Sequence, residues 1–349
     1  MSDFFLNIEV NRIFLTIFFN ILIFFLINFI FLKKNFLIDN KGISKHKSFT
    51  DMAIVPLSGG VVLLISFLFI NLFTGVINNG LIVAIFFVGF LSDTQRLNDP
   101  KKRLTIQLIV ILILIYINHL LIKSIRIPLL DGYLEYELVS ILFTTFCLLI
   151  LINGSNFIDG INLQCSGYFF VILSILLYLD TNVIGITNLN IIYVTYSFLI
   201  SFIFFNLFNK SYLGDGGAYL LSLIVGFILI NFQTTSNVSP YFIVLLLWYP
   251  AFENFFSIIR RVYTLKLRPD QPDSKHLHHL LLDFCNKRFS LNKIFLSSLT
   301  GIFINLFNLI IFYIGTFFLY DTRILVILIL FCIIIYSLLY LILLKIKKT

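Results

Sequence analysis

Carboxylate, amide and imidazole side chains collect in a few short segments between long apolar stretches. These segments are Ser92 with Asp93, residues 153–162 (NGSNFIDGIN), residues 214–217 (GDGG) and residues 276–279 (HLHH). A carboxylate such as Asp215 can hold Mg²⁺, which binds few protein groups and shares its other positions with water and phosphates. Neighbouring glycines let a backbone approach a phosphate, and a helix N-terminus favours an anion. The GDGG segment therefore indicates a metal and phosphate site, with a helix-capping Asp in a tight turn as the alternative.

Asn153, Asn156, Asp159 and Asn162 recur at every third position. On a helix, this spacing places neighbouring members roughly along one face. Polar groups beside apolar sequence need hydrogen-bond partners. The base or ribose of a nucleotide, or the hydroxyls of a sugar, would supply them; a polar seam between helices is the alternative.

Three His residues stand within four positions, at His276, His278 and His279. Such a group indicates metal binding or anion recognition. A zinc site on a helix places two His four residues apart beside an acid, which this segment does not do. Contacts to phosphate oxygens therefore fit better, and an incidental loop cluster is the alternative. Glu253 is ionisable within an apolar stretch, and we expect it to pair with Arg260 or Arg261 two helical turns later.

The composition predicts a polytopic helical membrane protein. Hydrophobic residues make up 59% of the 349 residues and charged residues 12%, whereas soluble domains contain about 25% charged residues. We predict one domain over residues 1–349 with eleven spans, or alternatively ten. The third, fifth and sixth are short for a bilayer that needs about 20 residues, so either polar residues that face protein extend them or one of them is re-entrant. The spans are expected near residues 13–32, 54–75, 77–91, 104–122, 138–152, 166–179, 187–208, 216–232, 240–259, 294–319 and 323–344.

Lys and Arg residues predict the orientation. With eleven spans, 21 of the 25 lie in loops after odd-numbered spans and after the last span. Because excess positive charge marks the cytoplasmic side, the N-terminus is predicted outside, and the C-terminus and all motif segments inside.

This sorting of the basic residues to one side also argues against nucleic acid as the partner of a basic chain. A carrier needs polar groups within its spans, whereas here they lie at span ends, which favours an enzyme acting at the bilayer surface. The four Cys residues form no C-x-x-C pair and indicate neither a disulfide nor a zinc site.

Taken in this order, the motifs resemble those of the polyprenyl-phosphate N-acetylhexosamine-1-phosphate transferases of glycosyltransferase family 4, over roughly residues 38–282. The matching elements are Pro56 with Gly59 and Gly60, Asp93 with Gln107, the NGSNFIDGIN segment, YLGDGGA, and PDSKHLHHLL. The last resembles the branch that starts lipopolysaccharide and teichoic-type glycans. Three positions depart from the family pattern: Ser92 and Asn162 stand where Asp is usual, and Leu163 stands where Gly is usual.

This resemblance implies an all-α bundle of transmembrane helices in a bacterial cytoplasmic (inner) membrane. It implies transfer of N-acetylhexosamine-1-phosphate from a UDP-sugar to undecaprenyl phosphate, with release of UMP, as the first membrane step of a cell-surface glycan. Mg²⁺ is the implied cofactor, with Mn²⁺ as an alternative, and a homodimer is compatible with the family. The implied catalytic residues are Asp93, Asp159, Asp215, His278 and His279, with Asp93 and Asp215 as metal ligands. The implied substrate-binding residues are Asn153, Asn156, Asn162, Asn206, His276 and Lys45.

Two alternatives remain open from the sequence. One is a transferase of peptidoglycan synthesis that acts on a muramyl-peptide nucleotide, although that branch carries three consecutive His residues. The other is a transporter or a non-catalytic scaffold, which the replacements at Ser92 and Asn162 would explain. The residues also leave open whether attack is direct or passes through a covalent phospho-enzyme. We expect Ser92 to be at most a hydrogen-bonding helper, because a hydroxyl cannot replace a carboxylate as a charged ligand.

Overall fold

The computed structural model describes residues 2–39, 54–74, 77–185, 189–264, 266 and 275–348. Helices dominate this part of the chain. Their bounds are α1 Ser2–Lys34, α2 Gly59–Thr74, α3 Asn79–Asp93, α4 Pro100–Asn118, α5 Pro128–Leu134, α6 Glu137–Ile158, α7 Gln164–Asn182, α8 Leu189–Leu207, α9 Gly214–Thr235, α10 Pro240–Leu246, α11 Trp248–Ile259, α12 Leu277–Arg288, α13 Lys293–Thr316 and α14 Thr322–Lys348. A π-helical turn, Arg260–Thr264, extends α11. Two short strands, β1 Ile38–Asp39 and β2 Val55–Pro56, pair antiparallel. Lys45 lies outside the described residues.

The predicted all-α, multi-span fold is confirmed. Within the described residues, seven helices are long and apolar enough to cross a membrane, and eight if the bent pair α10 and α11 counts as one. The seven are α1, α6, α7, α8, α9, α13 and α14. Each of the eleven predicted spans coincides with a helix or with this pair. However, α2 and α3 are shorter and α4 begins with charged residues, so the number eleven stays a prediction.

Helix α9 forms the centre of the bundle and is buried along almost its whole length. Its closest neighbours are α3, α2 and α6. Glycines permit the approach: a methyl group on Gly60 of α2 would lie 2.5 Å from the backbone nitrogen of Gly217, and one on Gly89 of α3 would overlap the backbone of Gly216. The start of α9 is therefore enclosed by α2 and α3, which fixes the position of the GDGG segment.

A break between α10 and α11 bends this segment by 69°. The hydroxyl of Tyr168 on α7 donates to the carbonyl of Leu246 at 2.8 Å and accepts from the backbone N–H of Tyr249 at 3.4 Å. The Tyr168 hydroxyl thus replaces the hydrogen bonds that these two backbone groups would make in a continuous helix. In apolar surroundings, where no water is present, such backbone groups need a partner within the protein. Beyond the break, α11 carries Glu253 towards residues 276–279, here called the His segment.

Candidate active site

The end of α3 meets the start of α9 through one carboxylate. Asp93 accepts the backbone N–H of Asp215 at 2.9 Å on Oδ1 and that of Gly216 at 3.1 Å on Oδ2. Gly214 has a φ of +73°, a left-handed conformation that glycine adopts without steric cost. The first N–H groups of a helix have no partner within the helix, and Asp93 satisfies two of them. Asp93 therefore holds the GDGG turn in place.

Asp215, in the first turn of α9, shares its carboxylate with two side chains. Oδ2 accepts from Ser92 Oγ at 2.7 Å and from Arg103 Nη1 at 3.2 Å, and the same Nη1 donates to Ser92 Oγ at 2.6 Å. The side chains of Arg103 and Asp215 are 23% and 28% exposed. An ion pair that water reaches contributes about 1 kcal/mol or less. Arg103 can therefore exchange Asp215 for a more highly charged partner, such as a phosphate.

The segment around Pro56 forms backbone hydrogen bonds with the residues that precede the GDGG turn. The carbonyl of Pro56 accepts the backbone N–H of Tyr212 at 3.0 Å. The N–H groups of Gly59 and Gly60 donate to the carbonyls of Tyr212 and Leu213, both at 3.0 Å. The P-x-x-G-G motif is thus bonded by its backbone to the residues that lead into GDGG. Its function here is to position the turn.

The amide segment, residues 153–162, is divided between a helix and a turn. The prediction that its four polar residues lie along one face of a single helix is therefore wrong. Asn153 and Asn156 lie on α6, which ends at Ile158, and Asp159 is its C-terminal cap. Gly160 follows and disfavours a longer helix. Leu163, at φ +63°, then redirects the chain into α7. Asn162 therefore lies in the turn, three residues beyond the cap.

Side chains of α8 and of the residues after it hold this turn. Asn206 Oδ1 accepts the N–H of Leu163 at 2.7 Å, and its Nδ2 donates to the carbonyl of Ser211 at 2.8 Å. Asn162 Nδ2 donates to Asn209 Oδ1 at 3.4 Å. Asn162 and Asn206 are both buried. Because its oxygen and its nitrogen both bind backbone groups, Asn206 supports the turn rather than offering a free amide to a substrate.

Helix α4 connects the acidic turn, which consists of the GDGG segment and Asp93, to the amide segment. Arg103, which contacts Asp215, is followed four residues later by Gln107, and such residues share a helix face. Gln107 Oε1 accepts a hydrogen bond from Asn153 Nδ2 at 3.1 Å. The same Nδ2 donates to the carbonyl of Leu149 at 2.9 Å. Thus α3, α4, α6 and α9 place Asp93, Asp215 and Asn153 at one end of the bundle.

His278 and His279 pack over Gly160, directly beside Asp159. A methyl group on Gly160 would lie 2.5 Å from Nε2 of each ring, and the two ring centroids are 4.3 Å apart. His278 is fully buried, and neither of its ring nitrogens has a hydrogen-bond partner among the residues that the structure describes. Burial, followed by the neighbouring His279, His276 and Arg260, lowers the pKa of His278 well below its ordinary value of 6.5. His278 is therefore neutral at pH 7, with one nitrogen as donor and the other as acceptor.

His276 faces a buried carboxylate. Its Nδ1 lies 2.8 Å from Oε1 of Glu253, which is fully buried on α11. The ring packs between Phe157 and His278, at centroid distances of 5.6 and 5.5 Å. Glu253 also lies 3.9 Å from Nη1 of Arg260, so the predicted pairing with Arg260 occurs, but the contact with His276 is shorter. The His segment is thus fixed from α11 as well as from α6.

The residues at the acidic turn suit a hard cation such as Mg²⁺. No group of three or more His, Cys, Asp or Glu side chains within the described ranges converges on one point. Mg²⁺ does not require such a group, because it is usually held by one or two carboxylates together with water and substrate phosphates. Asp215, in the first turn of α9, and Asp93, at the end of α3, supply two neighbouring carboxylates. Both side chains that contact the Asp215 carboxylate, Ser92 and Arg103, donate to Oδ2, and no other described residue donates to Oδ1.

Sequence reasoning did not find Arg103 or Tyr336 as site residues. The only signal for Arg103 in the sequence is its position one helical turn before Gln107. Tyr336 lies on α14, outside the region of family resemblance, and its hydroxyl donates to Glu253 Oε2 at 2.6 Å. A Tyr within an apolar helix carries no sequence signal of such a partner.

Comparison with known proteins gives a consistent result. The model of glycosyl transferase family 4 matches residues 76–233. A probable undecaprenyl-phosphate N-acetylglucosaminyl 1-phosphate transferase of Bacillus subtilis (strain 168) is 26% identical over 247 residues, which cover 66% of this chain and 66% of the relative. The undecaprenyl-phosphate alpha-N-acetylglucosaminyl 1-phosphate transferase of Escherichia coli (strain K12) is 27% identical over 215 residues, covering 56% and 55% of the two chains. The chain thus spans between about half and two thirds of the length of these relatives.

Proposed function

The chain belongs to glycosyl transferase family 4, and we propose that it transfers N-acetylhexosamine-1-phosphate from a UDP-sugar to undecaprenyl phosphate, releasing UMP. The observation that carries this proposal is the convergence of three motifs at one end of the helical bundle. The Asp93 carboxylate holds the GDGG turn, α4 connects this turn to Asn153, and His278 and His279 cover the cap of the same helix α6. Acidic, amide and imidazole groups in one place are the set that a nucleotide diphosphate and a second phosphate need.

The proposed reaction is phosphoryl transfer, in which positioning and charge neutralisation provide most of the catalysis. An oxygen of the lipid phosphate forms a bond to the β-phosphorus of the UDP-sugar, and the bond from that phosphorus to the oxygen bridging it to the α-phosphorus breaks. UMP leaves with that oxygen. The acceptor phosphate is already ionised at neutral pH, so it needs no general base. The chain's own task is to align the two phosphates.

Mg²⁺, with Mn²⁺ as an alternative, is the proposed cofactor, and Asp215 and Asp93 would hold it. When bound, such an ion neutralises charge on the phosphate oxygens. Arg103 lies beside Asp215 and can donate to the same phosphates. Asn153, Asn156 and Asp159 are proposed to contact the nucleotide or the sugar.

The imidazoles supply directed donors. His278 is neutral, so it can donate one N–H to a phosphate oxygen without the cost of burying a charge. His279 lies at the same Gly160 and points its Nε2 to the same place. His276 is fixed by Glu253 and is proposed to contact phosphate through its other nitrogen. A substrate-binding role for Lys45 stays a prediction from the family resemblance.

We further propose that the protein lies in a bacterial cytoplasmic membrane with the site at the cytoplasmic face. UDP-sugars carry two phosphates and do not cross the hydrocarbon, whereas the acceptor lipid presents its phosphate at the bilayer surface. The sorting of 21 of 25 Lys and Arg residues to one side supports this orientation.

The test is a donor assay with purified protein, undecaprenyl phosphate, Mg²⁺ and UDP-N-acetylhexosamine labelled in the sugar. The proposal requires equimolar UMP and labelled lipid, and loss of both products in EDTA. Asp215→Asn should remove activity while the protein remains folded in the membrane. Full activity in EDTA would exclude the metal role.

Competing nucleotides separate the alternatives. A muramyl-peptide nucleotide that is used in place of the UDP-N-acetylhexosamine would indicate the peptidoglycan-type reaction. The absence of UMP with every donor would favour a scaffold or transporter. Gly132→Ala serves as the matched control, because a methyl group on Gly132 meets no atom within 4 Å among the described residues.

A further inference from the structure

A buried polar centre lies behind the His segment and is built from three parts of the chain. Glu253 on α11 is fully buried, and its two carboxylate oxygens have different partners. Oε1 is 2.8 Å from His276 Nδ1, and Oε2 accepts from the hydroxyl of Tyr336 at 2.6 Å. Tyr336 lies near the middle of α14 and is also buried. One carboxylate thus connects the last helix to the first His of the motif.

The remaining contacts balance the charge of Glu253. Arg260 Nη1 is 3.9 Å from Oε1, and Ser257 Oγ donates to the same oxygen at 3.4 Å. Arg260 Nη2 donates to Ser257 Oγ at 3.1 Å. A buried carboxylate is tolerated when its lone pairs and charge are satisfied in this way, and it is costly when a partner is lost. The centre is therefore built to keep one arrangement.

The contacts continue from this centre to the proposed reaction site. The ring of His276 stacks on that of His278 at 5.5 Å with an interplanar angle of 12°. His278 in turn lies over Gly160, next to Asp159. Rotation of the His276 ring would therefore displace His278 from the end of α6. A carboxylate bound to one imidazole nitrogen also fixes which nitrogen faces outward.

We propose that Glu253 and Tyr336 are positioning residues for the His segment, and that α14 thereby takes part in the active site. In this proposal, Glu253 Oε1 accepts a hydrogen bond from the Nδ1–H group of His276, so that Nε2 faces the phosphates, and the Tyr336 hydroxyl fixes the carboxylate. A second contact attaches α14 to α12: Lys347 Nζ lies 2.5 Å from Asp283 Oδ2. Helix α14 lies outside the segment that the family model matches. This inference rests on the proposed function for its catalytic consequence, but its geometric part does not depend on it.

The catalytic consequence is tested with Glu253→Gln, Tyr336→Phe and His276→Ala, alone and in pairs. A hydrogen bond to a charged group lost from the transition state lowers kcat by about 10- to 100-fold. We expect the loss of kcat to lie near the upper end of this range for Glu253→Gln and near the lower end for Tyr336→Phe. The KM for the UDP-sugar should change little in either variant. In the His276→Ala background, neither substitution should lower kcat further. An equal loss in that background would indicate a general structural role and overturn the proposal.

The geometric part is tested by modification of histidines with diethyl pyrocarbonate, followed residue by residue by mass spectrometry. We expect His276 to react about fivefold faster in Glu253→Gln and in Tyr336→Phe, as for the loss of one net hydrogen bond. His119 is the reference within the same chain and should be unaffected. Tyr313→Phe on α13 is the matched control, because its ring contacts Tyr178 and Phe317, away from Glu253.

The two failures are distinguishable. Parent-like modification of His276 in both variants would overturn the positioning role, whatever the catalytic result. Faster modification in both variants, combined with no labelled lipid from the parent protein, would sustain the positioning contact and refute the proposed transferase function.

Discussion

Replacement of Asp93 by alanine removes both acceptors from the start of α9. The carboxylate accepts two backbone N–H groups, at 2.9 and 3.1 Å. Loss of a helix cap costs about 0.5–2 kcal/mol, and hydrogen bonds to charged groups contribute about 1.5–3 kcal/mol each. Because Asp93 is only partly buried, water recovers some of this loss. We therefore expect Asp93→Ala to reduce the free energy of unfolding by about 2 kcal/mol.

Two graded variants separate the cap from other roles of this turn. Asp93→Asn keeps one acceptor oxygen and loses the charge, so about half of the destabilisation should remain. Ser92→Ala removes a hydroxyl that supports a partly exposed ion pair, and it should cost about 0.5 kcal/mol. The loss of activity should also be much smaller in Ser92→Ala than in Asp93→Ala or Asp159→Ala.

The assay is thermal unfolding in detergent, followed through the single tryptophan, Trp248, together with initial rates of UMP release at saturating Mg²⁺. Trp248 suits this purpose because its indole N–H donates to Asn308 at 2.8 Å within the buried core. An unfolding midpoint of Asp93→Ala equal to that of the parent protein would refute the capping argument. A loss of activity in Ser92→Ala as deep as in Asp93→Ala would show that Ser92 replaces the missing carboxylate in function.

Three further predictions concern packing, pH and orientation. Gly89→Ala should abolish activity and lower the unfolding midpoint, because its methyl group would overlap the backbone of Gly216, whereas Gly132→Ala should leave both unchanged. Because burial holds the pKa of His278 well below 6.5 in the folded state, the contribution of His278 to stability is present above pH 6.5 and is lost as the pH falls below that value. His278→Asn should therefore flatten the pH dependence of the unfolding midpoint below pH 6.5. A cysteine introduced at Ser274, outside the described residues, should resist membrane-impermeant reagents added from the periplasmic side, and labelling from that side would contradict the predicted orientation.

The positions of the helices could be predicted from local sequence because apolar runs bounded by polar residues define spans. The short spans predicted at 138–152 and 166–179 are extended, as one of the two alternatives expected, since α6 continues to Ile158 and α7 to Asn182. Polar residues such as Asn153 extend α6, and counting apolar residues alone ends the span too early. Their polar groups are satisfied by protein instead of lipid, which a hydropathy pattern does not record.

Contacts between distant segments were less accessible to sequence reasoning. The GDGG motif indicated Asp215, but the reach of Arg103 to its carboxylate depends on how α4 packs beside α3. Glu253 was expected to pair within its own helix, where spacing can be counted. Its closest partners, His276 and Tyr336, come from a loop and from α14, at separations of 23 and 83 residues. Helix periodicity carries no information about such pairs.

The three departures from the family pattern fall on residues that support the site. Ser92 bridges Asp215 and Arg103, and Asn162 donates to Asn209 in a buried turn. Leu163 at φ +63° costs about 1–2 kcal/mol for a residue with a side chain. That cost is offset because its N–H donates to Asn206 and its carbonyl accepts from Asn305, both within 2.8 Å. The replacements therefore change how the turns are held, while the carboxylates and imidazoles expected to meet the phosphates are retained. For this reason the departures do not by themselves favour a scaffold over an enzyme.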